Sequence, residues 1–252
     1  MLLTRAIPVL LLRGGGICKG VKFKNHSYVG DPINAVKILN EKKTDELVIL
    51  DIEASLLGHQ INYGLIEQIV SEAFMPIAYG GGINSIDQAK KLFSLGIEKV
   101  ILNTGAFENP KLISKLVEVF GSQSIVFSLD TKPDLFGRDK VYCKSGTKKI
   151  EEDALTIALK MQAKGVGEII LNSIHLDGTM RGYNLKLIKK ITNLLEIPII
   201  ALGGAGNIDH MIDAKKVGAH GLAAGSLFVF HGPLKGVLIS YLSKNELNRL
   251  NQ

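Results

Sequence analysis

The groups of this sequence whose types and spacing suit chemistry are a carboxylate at the end of a buried run, a lysine near a Gly-rich stretch and two Gly-rich turns. Asp130 closes the apolar run Ser124 to Asp130, where it would project from a strand end as a general acid or base; its plain structural role would be to fix a loop. Lys19 follows Arg13-Gly14-Gly15-Gly16 and would reach an anionic substrate as that flexible loop closes, or else remain a solvated lysine. Asp177, with Gly178-Thr179, and Asn172 add polar groups after another apolar run. Gly80-Gly81-Gly82, between a strand and a helix, lets backbone amides approach a phosphate with no Cβ in the way. One such turn is equally a tight connection, but this one is followed by Asn103-Thr104-Gly105, and a second copy supplies Gly203-Gly204-Ala205-Gly206 and then Gly225-Ser226. Two phosphate cradles are therefore expected, one of Gly81, Gly82, Asn103 and Thr104, the other of Gly203, Gly204, Gly225 and Ser226. His59 and His175 lack a Cys or carboxylate at metal spacing, so neither a metal nor a cofactor is expected.

The elements that must position these groups alternate between short apolar runs and helical patterns. Strands are expected at Ala6 to Leu12, Glu46 to Asp51, Met75 to Tyr79, Lys99 to Asn103, Ser124 to Asp130, Glu168 to Asn172, Ile197 to Leu202 and Gly221 to Ala224. Helices fall between them, for example at Asp31 to Lys42, Ser85 to Leu95 and Asn184 to Leu194, several opening on a capping Asp, Asn or Ser. Eight such units predict a single (β/α)8 TIM barrel, whose chemistry belongs at the C-terminal ends of the strands. The stretch 131–150 is polar and reads as an inserted hairpin. IAYGGGINSIDQAKKLFSLGIEKVILNTGAF matches IIALGGAGNIDHMIDAKKVGAHGLAAGSLF, so the barrel is expected to consist of two half-barrel repeats, about 1–122 and 123–252. That repeat sets Leu11 in the place that Asp130 occupies in the other half. At the opposite strand ends stand Arg5, Glu46, Lys99 and Glu168, two charges of each sign, whose plain role is to solvate the barrel bottom.

Composition narrows the partners. The 252 residues are 46% hydrophobic, enough for a packed core, and no apolar run approaches the roughly 20 residues that span a bilayer, so no membrane association is expected. A net charge of +6 with Lys and Arg scattered and only 6% aromatics favours phosphorylated small molecules over nucleic acid. Cys18 and Cys143 form neither a metal motif nor a disulfide framework, which suits a reducing cytoplasm. The opening MLLTRAIPVLLLRGGG reads as a first strand rather than a leader, because its apolar run holds a proline and ends on glycines.

RAIPVL, KGVKF, GDPINAV, DELVILDIEAS, YGGGI, ILNTGA, FGSQSIVFSLDTK, GEIILNSIHLDGT, IPIIALGGAG and AAGSLF together resemble the cyclase subunit of imidazole glycerol phosphate synthase over essentially the whole chain. The resemblance implies a ligand with a phosphate at each end and a glutaminase subunit docked at the N-terminal barrel face. It also implies ammonia delivered through the barrel past a gate formed by Arg5, Glu46, Lys99 and Glu168. Such a route keeps ammonia from water, where it would protonate. One position departs from the family: two aspartates end strands one and five there, and this chain has Leu11 and Asp130. Leucine transfers no proton, so the usual ring closure is expected to be impaired. IPVLLL and VKFKN are similar to a divergent branch tied to acetamidino groups of bacterial surface sugars, which works with a sugar amidotransferase. The resemblance leaves open an authentic cyclase using Asp51 or Asp177 instead, and a non-catalytic activator of the glutaminase.

Overall fold

A computed structural model describes residues 4–252; Met1 to Leu3, the start of the segment read as a first strand, lie outside the described residues. Twelve strands form one sheet: β1 (Arg5–Arg13), β2 (Gly16–Val21), β3 (Lys24–Gly30), β4 (Leu47–Asp51), β5 (Ile77–Gly80), β6 (Lys99–Leu102), β7 (Ile125–Pro133), β8 (Asp139–Cys143), β9 (Lys148–Asp153), β10 (Glu168–Ser173), β11 (Ile199–Leu202) and β12 (Gly221–Ala224). Eight of these pair in parallel in the cyclic order β1-β4-β5-β6-β7-β10-β11-β12, and β12 returns to β1 through Arg5 opposite Gly221. The closed barrel is thus the expected (β/α)8 fold, each expected strand lying within two residues of an observed one at its start.

Alternation along each strand divides the core in two. Ile7, Val9, Val48, Ala78, Ile101, Val126, Ile170, Ile200, Leu202 and Ala223 pack together inside the barrel, with Leu11 and Leu50 at the upper edge of that cluster. The intervening residues, among them Leu10, Ile49, Tyr79, Leu102, Phe127 and Leu171, pack outward against the helices. Several helices begin where side chains satisfy their first amides: Asp31 accepts from Asn34 with Pro32 in the first turn, and Ser85 and Gln88 form a capping box.

Two strands overrun the barrel rim. β7 continues to Pro133 and pairs antiparallel with β8, which pairs with β9, so the insertion is a three-stranded ribbon running to Asp153 rather than ending at 150. Correspondingly, β1 pairs with β2, and β2 with β3. This second ribbon replaces the flexible loop expected before Lys19. Its turn is Lys22-Phe23, with φ of 54° and 61°, between the paired Val21 and Lys24. Two positive φ angles are the mark of a tight hairpin turn usually written Asn-Gly, and neither lysine nor phenylalanine advertises it. Lys22→Asn should relieve that backbone cost and raise stability by about 0.5 kcal/mol, measurable as a higher denaturation midpoint.

Candidate active site

A cavity of about 270 Å³ opens at the C-terminal ends of the barrel strands. Its floor is apolar, made by Val9, Leu11, Leu50, Ile101 and Leu202, and its polar groups are gathered on the walls: Asp130, Asn172, Lys19, Asp177 and the turn Gly80-Gly81-Gly82.

Asp130 is buried on β7. Ser128 Oγ donates to its Oδ1 at 3.0 Å and Asn172 Nδ2 donates to the same oxygen at 3.2 Å. Burial outweighs these two hydrogen bonds and, with the nearby Asp177 charge, pushes the carboxyl up to about 7. A carboxyl titrating there exchanges protons readily at neutral pH. Leu11 lines the same cavity from β1, at the point where that strand meets Cys18 of the first ribbon, just as Asp130 meets Tyr142 of the second.

Lys19 lies within β2, 5% exposed, and its Nζ donates to Asp177 Oδ1 at 2.9 Å. It is therefore neither solvated nor carried on an open loop, because the ribbon supplies its backbone partners. Sequence reasoning missed this pair, whose members are 158 residues apart.

The two Gly-rich turns differ in access. Gly81 has a φ of 123°, and a Cβ there would meet the Asp51 carbonyl oxygen at 2.4 Å; Gly204 has a φ of 115° and would meet the Gly182 oxygen at 2.0 Å. Close packing of two backbones thus requires glycine at both places, whatever the ligand. Gly81, Gly82, Asn103, Thr104 and Gly105 line the cavity, and of the second cradle only Gly225 does. Polar groups of the first cradle already have partners: Asn103 Nδ2 donates to the Ser128 and Tyr142 oxygens, Thr104 Oγ1 accepts from the Lys144 amide, and the Gly82 backbone amide donates to Ser55 Oγ. Asn172 Oδ1, Asp177 Oδ2 and Ser226 Oγ are buried without a hydrogen-bond partner, and unpaired buried polar atoms point to a ligand. His59 is exposed and His175 half-buried with an unpaired Nδ1. Among the described residues no His, Cys, Asp and Glu cluster is arranged to hold a metal, and no helix is long and apolar enough to cross a membrane.

At the other end of the barrel, Arg5 donates to Glu46 at 2.5 Å and to Glu168 at 2.8 Å, and Lys99 donates to each of the same carboxylates at 3.1 Å. The four residues form a closed ring of alternating charge across the barrel mouth. Burial works against the Arg5 charge, but Glu168 and Glu46 outweigh it and raise its pKa above the ordinary arginine value.

The family model described as "Histidine biosynthesis protein" matches residues 5–234. The chain belongs to that family, in its HisF-type cyclase group. A Vibrio vulnificus (strain YJ016) protein named "Putative imidazole glycerol phosphate synthase subunit hisF3" is 50% identical over 98% of this chain and 95% of its own length. A Pseudomonas aeruginosa (strain PAO1) protein named "Putative imidazole glycerol phosphate synthase subunit hisF2" is 47% identical over 98% and 99%. The Petrotoga mobilis "Imidazole glycerol phosphate synthase subunit HisF" is 38% identical over 90% and 91%. In this HisF-type barrel the ring and the cavity lie at opposite ends of one apolar interior.

Two outcomes follow. Because the folded Asp130 binds its proton more tightly than the unfolded chain, its stabilising effect is complete below about pH 4 and is lost as pH rises to about 7. Asp130→Asn should match the native protein at pH 4 and exceed its unfolding free energy at pH 8 by up to roughly 4 kcal/mol, as read from denaturant titrations. Glu46→Gln should leave Arg5 and Lys99 sharing Glu168 and lower stability by about 2 to 4 kcal/mol in the same measurement.

Proposed function

We propose that this HisF-type chain is the ammonia-accepting synthase subunit of a glutamine amidotransferase complex. A glutaminase subunit docks at the N-terminal face, ammonia passes the ring of Arg5, Glu46, Lys99 and Glu168, and a phosphorylated small molecule waits in the cavity at the C-terminal face. The product is an amidinated surface-sugar precursor, made together with a sugar amidotransferase in the cytoplasm. The observation that carries the reading is the combination of a complete charged ring with Leu11 opposite Asp130. The apparatus suited to ammonia is present and the second proton-transfer group of the usual cyclisation is absent. The names borne by relatives at 47–50% identity support a synthase subunit of this kind.

The geometry suits that chemistry. The interior from Ile7 to Leu202 is apolar, so neutral ammonia crosses it while ammonium, which would lose its hydration, is held back. Asp130, poised near neutrality, takes or returns the proton when ammonia attacks, and Lys19 offsets anionic charge on the ligand. The two phosphate cradles orient the ligand between them. We further read the halves about 1–122 and 123–252 as repeats of one unit, which explains why an overrunning strand and ribbon follow both β1 and β7.

An authentic cyclase would need another carboxylate. Asp51 Oδ1 accepts from the amides of Glu53 and Ala54, and Asp177 is held by Lys19, so each already has a structural task. The deciding assay supplies ammonium salts and ribulosyl aminoimidazole carboxamide phosphate to the native chain and to Leu11→Asp. Imidazole glycerol phosphate should form only with the variant, by at least about 100-fold over the native rate; equal turnover by the native chain would restore the cyclase reading. In the assembled complex, Ala223→Leu, which narrows the interior, should reduce the glutamine-driven rate several-fold and leave the rate with free ammonia unchanged. Equal loss of both rates would argue against conduction.

A further inference from the structure

The two cradles are built alike in sequence but not in electrostatics. Around the first, the cations paired with carboxylates, Arg13 with Glu53 and Lys144 with Glu108, are exposed, and its turn faces the open cavity. Around the second, Lys19 and Asp177 form an ion pair whose side chains are only 3% and 13% exposed. The Lys19 stem lies directly over Gly225, since a Cβ at that glycine would meet Lys19 Cε at 2.9 Å and Cδ at 3.3 Å. Next to Gly225, Ser226 Oγ is buried and has no partner, and neither does Asp177 Oδ2. The backbone holds the pair in register: the Lys22 amide donates to the Asp177 carbonyl at 2.9 Å, and Gly178 sits so close to Gly20 that a Cβ would meet its oxygen at 2.3 Å. Of this cradle Gly225, beneath the Lys19 stem, lines the cavity, and Gly203, Gly204 and Ser226 do not.

We infer that Asp177 is a built-in counter-ion that keeps the second cradle closed, so that this cradle admits only a ligand whose own dianionic group replaces the Asp177 carboxylate as the partner of Lys19. The inference rests on the two-cradle reading of the site and sharpens it. A buried ammonium cannot be left unpaired, so an incoming anion must compete with the carboxylate already beside it. A phosphate carrying about −1.5 to −2 at neutral pH, with three acceptor oxygens, takes both the Lys19 ammonium and the unpartnered Ser226 hydroxyl, whereas a carboxylate ligand offers no more than Asp177 does. A ligand with a phosphate at one end alone occupies the first cradle and leaves the pair intact. Two-ended phosphate ligands are thereby selected over one-ended ones, while the Lys22 amide still ties the β2–β3 ribbon to the Asp177 carbonyl.

Inorganic phosphate is the probe, titrated at constant ionic strength with chloride and followed by calorimetry and phosphorus NMR. The native chain should bind one phosphate, and Asp177→Asn, which frees Lys19 from its internal partner, should bind a second about tenfold or more tightly than the native chain does. Adding Ser226→Ala to Asp177→Asn should weaken the gained site and leave the first unchanged. Asp177→Ser serves the same comparison if the asparagine variant does not fold, as judged by circular dichroism. Two phosphates bound with equal affinity by the native and Asp177 variants would leave the cradles standing and overturn the inference. No phosphate bound by any of the proteins would remove the cradles and the inference with them.

Discussion

Closure of eight parallel strands into a barrel forces every second side chain into an interior that water does not reach, and the rest of this molecule is arranged around that constraint. A charge placed halfway along a strand would be buried without a partner, so charges collect at the two ends. At the N-terminal end they neutralise one another as a four-membered ring. At the C-terminal end they sit on cavity walls, where Asp130 is paired only with neutral donors and Lys19 with Asp177. Between the two lies an apolar column from Ile7 to Leu202.

The same constraint governs what the strand ends at the cavity can carry. A strand-end position facing the cavity is one of few places where a carboxylate can be half-desolvated and still useful. With Leu11 at one such position, the cavity floor is continuous with the apolar interior. A carboxyl raised toward neutrality by burial exchanges protons readily at neutral pH.

The ribbons add what the barrel alone lacks. Each is tied to neighbours by a few specific contacts: Lys19 to Asp177 from the first, Ser145 Oγ to the Ile52 carbonyl and the Lys144 amide to Thr104 from the second. Lys19 and Ser145, which make two of these contacts, also line the cavity, so the ribbons complete its walls above the packed barrel.

Much of this was written locally. The alternation of β-branched runs with capped helices, and the two Gly-rich turns each followed by a small-residue turn, were legible because they depend on neighbours in sequence. Gly81 and Gly204 stood out in sequence as phosphate cradles, and the structure adds a second reason for glycine at both places, a positive φ with neighbouring backbone too close for a Cβ. The β2–β3 ribbon was not legible, because Lys22-Phe23 adopts a turn that its residue types do not favour and only the antiparallel partners on either side hold it. The ring of Arg5, Glu46, Lys99 and Glu168 could be placed at the strand starts from sequence, but who pairs with whom depends on a closed barrel bringing together residues up to 163 apart. The elevated proton affinity of Asp130 and the capture of Lys19 by Asp177 belong to tertiary structure alone, since desolvation and ion pairing are set by what the rest of the chain packs around a group, not by the residues beside it in sequence.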